Sequence, residues 1–415
     1  MIGMIAALRD WRIAIALGCA TIGAYGVASY SIGVLIEPIA KDTGWSTGSL
    51  SAAYATGILS GGAAAFAVGR SLDRVGSRPA FLVTLGVGAV LLFASASMHR
   101  PLTFALTWGL GSAAIGGGWF YQATLPTAAR CYPARRAEAF RVLTLLGALA
   151  SPIFYPLGGL LVDAFGWRTA VRLLVLAMIA LVLPAAVFVN APPAPGHDPA
   201  THAPRTSLRA SIARPEVWRA MLAMALFGAA ANSLILHQVP AMRVAGLSLA
   251  AASGYGGARG FMQIPARLVL TPLTRRLGVR RSLAVAYAAG MLGAAALLGA
   301  TVLGLAPLFA VLFAITCGFC VGLLSPLHGL FAIEVYGEQR LGTLSGVQQV
   351  VTSLAGASAP WAAGWMVDVS GGYAVPLGGI LAVQLLGLAA LWWQRQAESA
   401  TEAASEAAVR VTGAG

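Results

Sequence analysis

The sequence predicts an all-α membrane protein: twelve transmembrane helices in two six-helix parallel repeats, with both termini in the cytoplasm. Three observations carry this. The chain of 415 residues is 58% hydrophobic and only 10% charged, with a mean hydropathy of +0.78, far outside the range of soluble domains. Its arginines alternate between loops in a way that fixes an orientation. Two short segments also recur at nearly one offset.

Uncharged runs at 13–36, 43–69, 79–98, 101–129, 142–162, 173–196, 341–367 and 369–394 are each long enough to cross a bilayer as a helix, which takes about 20 residues for roughly 30 Å of hydrocarbon. The run 220–242 holds only His237. The 52 residues of 282–333 hold no formal charge and suit two helices joined by a hairpin at 302–307. The run 244–274, interrupted by Arg259 and Arg267, brings the total to twelve. Of 27 Lys and Arg residues, 20 lie in the N-terminus, the tail and one set of loops (70–78, 130–141, 205–219, 275–281, 340), five in the alternate loops and two inside a span. By the positive-inside rule the first set faces the cytoplasm. The net charge of +13 then reflects topology and contact with anionic lipid. No basic patch carries the interleaved aromatics of a nucleic-acid site, so nucleic acid is not expected as a partner.

The Pro-rich, basic stretch 190–215 separates six spans from six and has the composition of a linker. The expected organisation is an N-terminal bundle over 1–190, a cytoplasmic linker over 191–217, a C-terminal bundle over 218–395 and a disordered tail over 396–415. The halves echo each other: DRVGSR (73–78) returns as RRLGVR (275–280), 202 residues later, and YPLGGLLVDAFGWR (155–168) returns faintly as APWAAGWMVDVSGGY (359–373), about 205 residues later. Such a common shift indicates an internal repeat. The first span runs on into the bundle without a small-residue cleavage pattern, so it reads as a retained helix rather than a signal peptide. Cys317 and Cys320 form a C-x-x-C inside an apolar helix, where small-residue packing is the simpler account than redox or zinc chemistry.

The segment GRSLDRVGSR (69–78) is a charged, glycine-bracketed turn between two apolar runs. With Gly69, Leu72, Asp73, Arg74, Gly76 and Arg78 it resembles the loop signature of the major facilitator superfamily, between its second and third helices, and its degenerate copy falls between the eighth and ninth. Gly69 is expected to let another helix approach closely, and Gly76 to allow the sharp turn. The resemblance implies a gate in which Asp73 docks on the N-terminus of the eleventh helix near Gly342 and on Arg130 at the end of the fourth. A carboxylate at a helix N-terminus is favoured by the helix dipole.

In that superfamily the substrate sits near the membrane midplane between the halves, where polar side chains are costly and mark function. The segment GGARGFMQIPARLVL (256–270) places Arg259, Gln263 and Arg267 four apart on one helical face. A guanidinium facing a low-dielectric cavity suits bidentate carboxylate recognition. GFMQIPARLVL also resembles the eighth helix of the monocarboxylate transporters, with Arg267 at the substrate-anchoring arginine and Gln263 where that family has an aspartate. Residues 30–55 are similar to the first two helices of that family and of the bacterial oxalate/formate exchangers. Tyr30 stands near the place of a lysine in the animal transporters, and the eleventh helix, 344–361, lacks the lysine of the oxalate exchangers. The second cation is then Arg259 or is absent. Arg267 also lies close enough to Arg275 to snorkel to the headgroups.

Tyr30, Tyr121, Gln122, Tyr155, Asn232, Gln348 and Gln349 are further candidates for the cavity, with interhelical hydrogen bonding as the alternative for each. His237 and His328 are the proton-coupling candidates, since imidazole titrates near neutrality, and both are also candidates for substrate contact. A lone membrane histidine equally serves as an interhelical hydrogen-bonding group. The glycines of 111–118 sit in a helix and suit close packing rather than a nucleotide. No nucleophile and base, metal triad or phosphate loop is present at usable spacing, so neither enzymatic activity nor a cofactor is expected. The expected function is secondary active transport, by symport or antiport, of a small organic anion, a monocarboxylate before others, across the inner membrane of a bacterium. Protons are a possible co-substrate, the bilayer is the surrounding partner and the monomer is the expected unit. The alternative is an exporter of a hydrophobic drug or neutral metabolite, although YPLGG (155–159) departs from the G-P-x-x-G-G of such exporters. A receptor that keeps the fold would need a signalling domain, for which 190–215 and 396–415 are too short.

Overall fold

The computed structural model describes residues 10–193, 214–337 and 341–392, with the side chains of 341–343 outside that set. All regular structure among the described residues is helical. In chain order the helices are α1 (Arg12–Tyr25), a π-helical segment (Gly26–Ser31), α2 (Ile32–Thr43), α3 (Thr47–Val75), α4 (Ser77–Ser95), α5 (Pro101–Trp119), α6 (Tyr121–Cys131), α7 (Arg136–Gly147), α8 (Ala150–Phe188), α9 (Pro215–Val244), α10 (Leu249–Phe261), α11 (Gln263–Leu303), α12 (Ala306–Tyr336) and α13 (Leu341–Ser370). A final helix, α14 (Ala374–Trp392), completes the described chain.

Eight helical stretches among the described residues are long and apolar enough to cross a membrane, against the twelve counted in the sequence. Two of the eight, Arg136–Phe188 and Leu249–Leu303, are 53 and 55 residues long. At 1.5 Å per residue each far exceeds one bilayer thickness. Each also contains one non-helical glycine, Gly166 (φ 73°, ψ 163°) and Gly278 (φ 76°, ψ 168°), in the left-handed region that only glycine enters at little cost. The expected hairpin at 302–307 is present, with α11 ending at Leu303 and Gly304 at φ 73°. The linker is described only at its edges, and residues 194–213 and the tail from 393 lie outside the described set.

Apolar residues lie on both the inside and the outside of the bundle, as a lipid-facing protein requires. Leu102, Leu268, Phe188 and Val369 are exposed while Trp108, Trp119, Phe81 and Phe313 are buried. The glycines of 111–118 serve packing as expected: side chains of α4 and α3 lie against them, Leu92 at Gly111, Thr84 at Gly118 and Ala64 at Gly117. Cys317 and Cys320 are buried free thiols facing Gly293 and Gly290.

The helices before the linker meet those after it along α8 and α10, where Ser151 and Pro152 pack on Gly260 and Gly257, and at one end, called here the far end, where residues 37–48, 243 and 364–373 gather. There the Asp368 carboxylate accepts hydrogen bonds from the backbone N–H of Thr47 (2.8 Å) and Gly48 (2.7 Å), two of the orphan donors that open α3. Arg243 pairs with Glu37 at 3.2 Å, and Lys41 shares the same carboxylate. Backbone runs against backbone, with the Leu236 carbonyl at Gly33 and the Thr47 carbonyl at Gly364. At the opposite, near end, the space beside Gly61, Gly62, Gly69 and Gly346 is empty. The close approach expected at Gly69 is therefore absent, because α3 and α13 diverge from the contact they make at Gly48 and Gly364.

The charged turn of 69–78 sits at this near end. Asp73 pairs with Arg130, whose other terminal nitrogen donates to the Leu72 carbonyl at 2.9 Å. Gly76 takes φ 86°, and the next residue secures the chain where it leaves α8: Ser77 N–H donates to the Ala191 carbonyl (3.2 Å) and Ala191 N–H donates to the Ser77 hydroxyl (2.8 Å). The second partner expected for Asp73, at Gly342, lies outside the described residues. Arg74 and Arg78 are exposed on the same turn.

Candidate functional site

Two adjoining cavities, about 380 Å³ and 460 Å³, share Asn232 and Gln349; the first lies between the two groups of helices and the second within the group after the linker. The first is walled by Tyr25, Ser29, Tyr54, Phe120 and Gln122 from the N-terminal helices and floored by Gly57, Gly61 and Gly62 of α3. The second is lined by Ser325, His328, Gln348 and Thr352 from the C-terminal helices. Apart from His328, no residue lining either cavity can carry a charge near neutral pH.

Local backbone irregularities place these side chains. The Ser31 hydroxyl donates to the Gly26 carbonyl five residues back at 2.8 Å, within a π-helical turn of a kind often found at functional sites. That turn puts Tyr25 and Tyr30 on one side, ring centres 6.4 Å apart. Tyr25 also stacks on Phe120 at 3.8 Å, nearly parallel, and lies 5.3 Å from Tyr121. Phe120 is extended (φ −80°, ψ 172°) between α5 and α6, and this break turns Tyr121 and Gln122 toward the middle of the bundle.

Behind the tyrosines lies Arg259, in the last turn of α10 and fully buried. Its main chain is held by α12, whose Gly318 leaves no room for a side chain against the Arg259 carbonyl. Its Nε donates to Gln238 Oε1 at 3.1 Å, while Nη1 and Nη2 have no hydrogen-bond partner. Tyr155 lies beside the guanidinium, its ring centre 5.9 Å from Cζ, without bonding either terminal nitrogen. Tyr30, Tyr54, Tyr155, Cys317 and Cys320 are the titratable groups around Arg259, and no carboxylate is among them within the described residues. A buried guanidinium without a counter-charge is expensive.

Gln238 received no attention in the sequence, where it is one amide in an apolar helix. In the structure its Nε2 donates to the Tyr155 hydroxyl (2.6 Å) and to the Ile235 carbonyl (3.0 Å), and Tyr155 donates to that same carbonyl at 2.8 Å. The ring of bonds joins α8 to α9 across the two groups of helices. Nothing in the local sequence signals it, because Tyr155 and Gln238 are 83 residues apart.

The other expected residues separate into two sets. Gln122, Asn232, His328, Gln348 and Gln349 line the cavities; Gln348 also accepts from Tyr336 and donates to Thr352, both at 2.7 Å, and His328 bonds the Tyr287 hydroxyl at 3.0 Å. Tyr30 and Tyr121 lie behind Tyr25 of the first cavity, 6.4 Å and 5.3 Å from it between ring centres, and Tyr30 continues to Tyr155 at 5.5 Å, beside Arg259. Arg267 donates to the Thr144 carbonyl at 3.3 Å and, like Arg259, bonds one neutral oxygen, but it is only half-buried where Arg259 is fully buried. Gln263 is buried in the first turn of α11, packed on Gly322. His237 lines neither cavity. Its two ring nitrogens lie 3.4 Å from the Tyr373 hydroxyl and 3.0 Å from the Pro360 carbonyl, which makes it a tie between α9 and α13 at the far end.

A fold of this kind, with a polar cavity between two helix groups, agrees with the family model for the Major Facilitator Superfamily, which matches residues 17–360. The chain belongs to the Major Facilitator Superfamily. It is a multi-pass membrane protein of a transporter family rather than an enzyme. No protein of curated function matches it in sequence. Among solved structures it is similar in fold to the nucleoside transporter NupG, with TM-score 0.73 and 13% identity over 92% of this chain and 98% of that one. It is likewise similar to a bacterial homologue of the human lysosomal transporter Spinster. The inward-facing, unoccupied form of that homologue gives TM-score 0.69 and 15% identity over 93% and 96% of the two chains; the occupied form gives 0.69 and 16% over 94% and 97%.

Proposed function

We propose that this protein carries a small organic anion, a monocarboxylate before others, across the cytoplasmic membrane of a bacterium by alternating access between two six-helix halves. On this account the chain makes twelve crossings: the eight long apolar stretches, with the two longest each counted twice at Gly166 and Gly278, together with α5 and α13; both termini are cytoplasmic, as the arginine distribution favours. The near end, with 69–78 and 130–141, is then the cytoplasmic one.

One observation supports the anion most directly: Arg259 is fully buried, lacks a carboxylate among its neighbours and has both terminal nitrogens free. Those two nitrogens form one edge of a planar fork that fits a single carboxylate bidentately. The expectation that Arg267 is the primary anchor gives way to Arg259, with Arg267 and Tyr121 on the approach. Because the rings of Tyr25, Tyr30 and Tyr155 lead from the first cavity to Arg259, the anion reaches the fork by displacing a tyrosine ring.

A second possibility rests on the cavity lining. Hydroxyls, amides and aromatic rings without formal charge suit a neutral, ring-bearing polar solute, and NupG is a nucleoside transporter. For coupling, His328 is the histidine that faces a cavity, whereas His237 is engaged at the far end.

The deciding experiment is uptake into liposomes of labelled lactate, pyruvate, acetate, benzoate, oxalate, a nucleoside and a cationic control, with and without an inward proton gradient, by wild type and Arg259→Gln. Saturable uptake of a monoanion that falls about 100-fold or more in Arg259→Gln supports the anion. Uptake of the nucleoside alone, unchanged in Arg259→Gln, favours the neutral solute.

A further inference from the structure

We infer that Gln238 is the positioning residue that keeps this site an anion site: its neutral amide orients the Arg259 guanidinium without neutralising it. The inference deepens the proposal above and rests on Arg259 being the anchor. Gln238 spends its N–H donors on Tyr155 and Ile235, at 2.6 Å and 3.0 Å, so its oxygen is left to face Arg259 Nε at 3.1 Å. Flipping the amide would set an N–H against Nε–H and the oxygen against the Ile235 carbonyl, losing both of those bonds. The guanidinium is thereby gripped on one edge, and the Nη1 and Nη2 edge is left with its full charge and no partner.

A glutamate at 238 would keep an oxygen facing Arg259 Nε and cancel the charge, at the cost of the N–H bond to the Ile235 carbonyl. Glutamate at 238 would be a permanent internal occupant, competing with every external carboxylate. The neutral amide therefore determines which class of solute the site takes: one carboxylate held by two nitrogens, rather than an uncharged solute held beside an internal ion pair. Because Tyr155 lies before the linker and Gln238 after it, the grip is shared across both groups of helices.

The test uses the full-length protein, with labelled benzoate and lactate as probes, in four forms: Gln238→Glu, Gln238→Leu, Arg259→Gln and the double variant Gln238→Glu/Arg259→Gln. Gln238→Glu is expected to lose uptake by about 100-fold or more while its Tm in detergent rises above that of wild type, because a buried cation gains a counter-charge. Gln238→Leu is expected to raise KM about 10-fold and to lower Tm, since Arg259 Nε and the Tyr155 hydroxyl lose a partner. The rise in Tm should vanish in the double variant. A residue that only supports the fold cannot give higher Tm with lost uptake. If Gln238→Glu takes up benzoate or lactate with KM within about 3-fold of wild type while Arg259→Gln is inactive, the role of Gln238 is overturned and the anchor stands. The role is likewise overturned if Gln238→Glu melts below Gln238→Leu. If Arg259→Gln itself takes up the probes normally, the anchor fails and the inference fails with it.

Discussion

Asp73 and Asp368 each stand four residues after a glycine, in Gly69-x-x-x-Asp73 and Gly364-x-x-x-Asp368, and they lie at opposite ends of the bundle. Asp368 holds the first N–H groups of α3 across the two groups of helices, with Gly364 pressed against Ser51 and Thr47. Asp73 pairs with Arg130 on its own side, and Gly69 faces open space. One spacing thus appears once with its glycine in close contact and once with its glycine facing open space. The difference shows what the spacing is for: the glycine lets a neighbouring backbone come close, and the carboxylate one turn on collects the N–H groups that the approach delivers. The two groups of helices are joined at the far end and parted beside Gly69 at the near end, which on the proposed alternating-access account is one of two states.

The largest expected effect comes from blocking the engaged glycine. A valine at Gly364 would put its Cβ 2.4 Å from the Ser51 hydroxyl oxygen and 3.0 Å from the Thr47 carbonyl oxygen, and overpacking of this sort costs about 1–3 kcal/mol. That cost falls on the far-closed state alone. In a background without the four native cysteines, labelling of Gln349→Cys by a membrane-impermeant maleimide from the far side is expected to accelerate about 5- to 100-fold with Gly364→Val. Unchanged labelling with a protein that stays monodisperse would mean that the far end does not set the equilibrium.

Removing the carboxylate charge should give a smaller shift in the same direction. Asp368 is exposed at the surface, so its contact with the α3 N-terminus is worth about 0.3–1 kcal/mol. Asp368→Asn keeps an acceptor for one N–H and loses the charge, and a shift of up to about 5-fold in the same labelling rate is expected, fading as salt is raised. If Asp368→Asn alone opened the far end as fully as Gly364→Val, charge rather than shape would be the latch.

Much of this was legible in the sequence. Hydropathy located long apolar helices and the Gly304 hairpin, and a local motif located the Asp73 turn, because each depends on residues close together or on a pattern that length alone dictates; Arg130, 57 residues from Asp73, came only from the family resemblance. The site was only half legible. Arg259 announced itself by its cost in an apolar helix, and the cavity amides by their polarity. How each arginine is held depended on distant groups, the Thr144 carbonyl for Arg267 and the ring of Gln238, Tyr155 and Ile235 for Arg259. His237 shows the same limit from the other side: its burial could be foreseen, but its engagement by Tyr373 and Pro360 of later helices could not. Gly69 failed for a different reason, since a motif describes every state of a moving protein and a structure holds one.

That last point predicts the smallest effect in the far-closed state and the most informative one. A methyl group at Gly69 meets nothing within 4 Å here, so Gly69→Ala should leave the thermal stability of this state and the far-side labelling of Gln349→Cys within about 0.5 kcal/mol of wild type. If Gly69 is the near-end counterpart of Gly364, the same methyl group must clash when the near end closes. The cost then appears only in turnover: transport slows while the resting population stays latched at the far end. Normal turnover in both Gly69→Ala and the bulkier Gly69→Leu would show that the two glycines share a spacing without sharing a role, and the near end would then close through Asp73 alone.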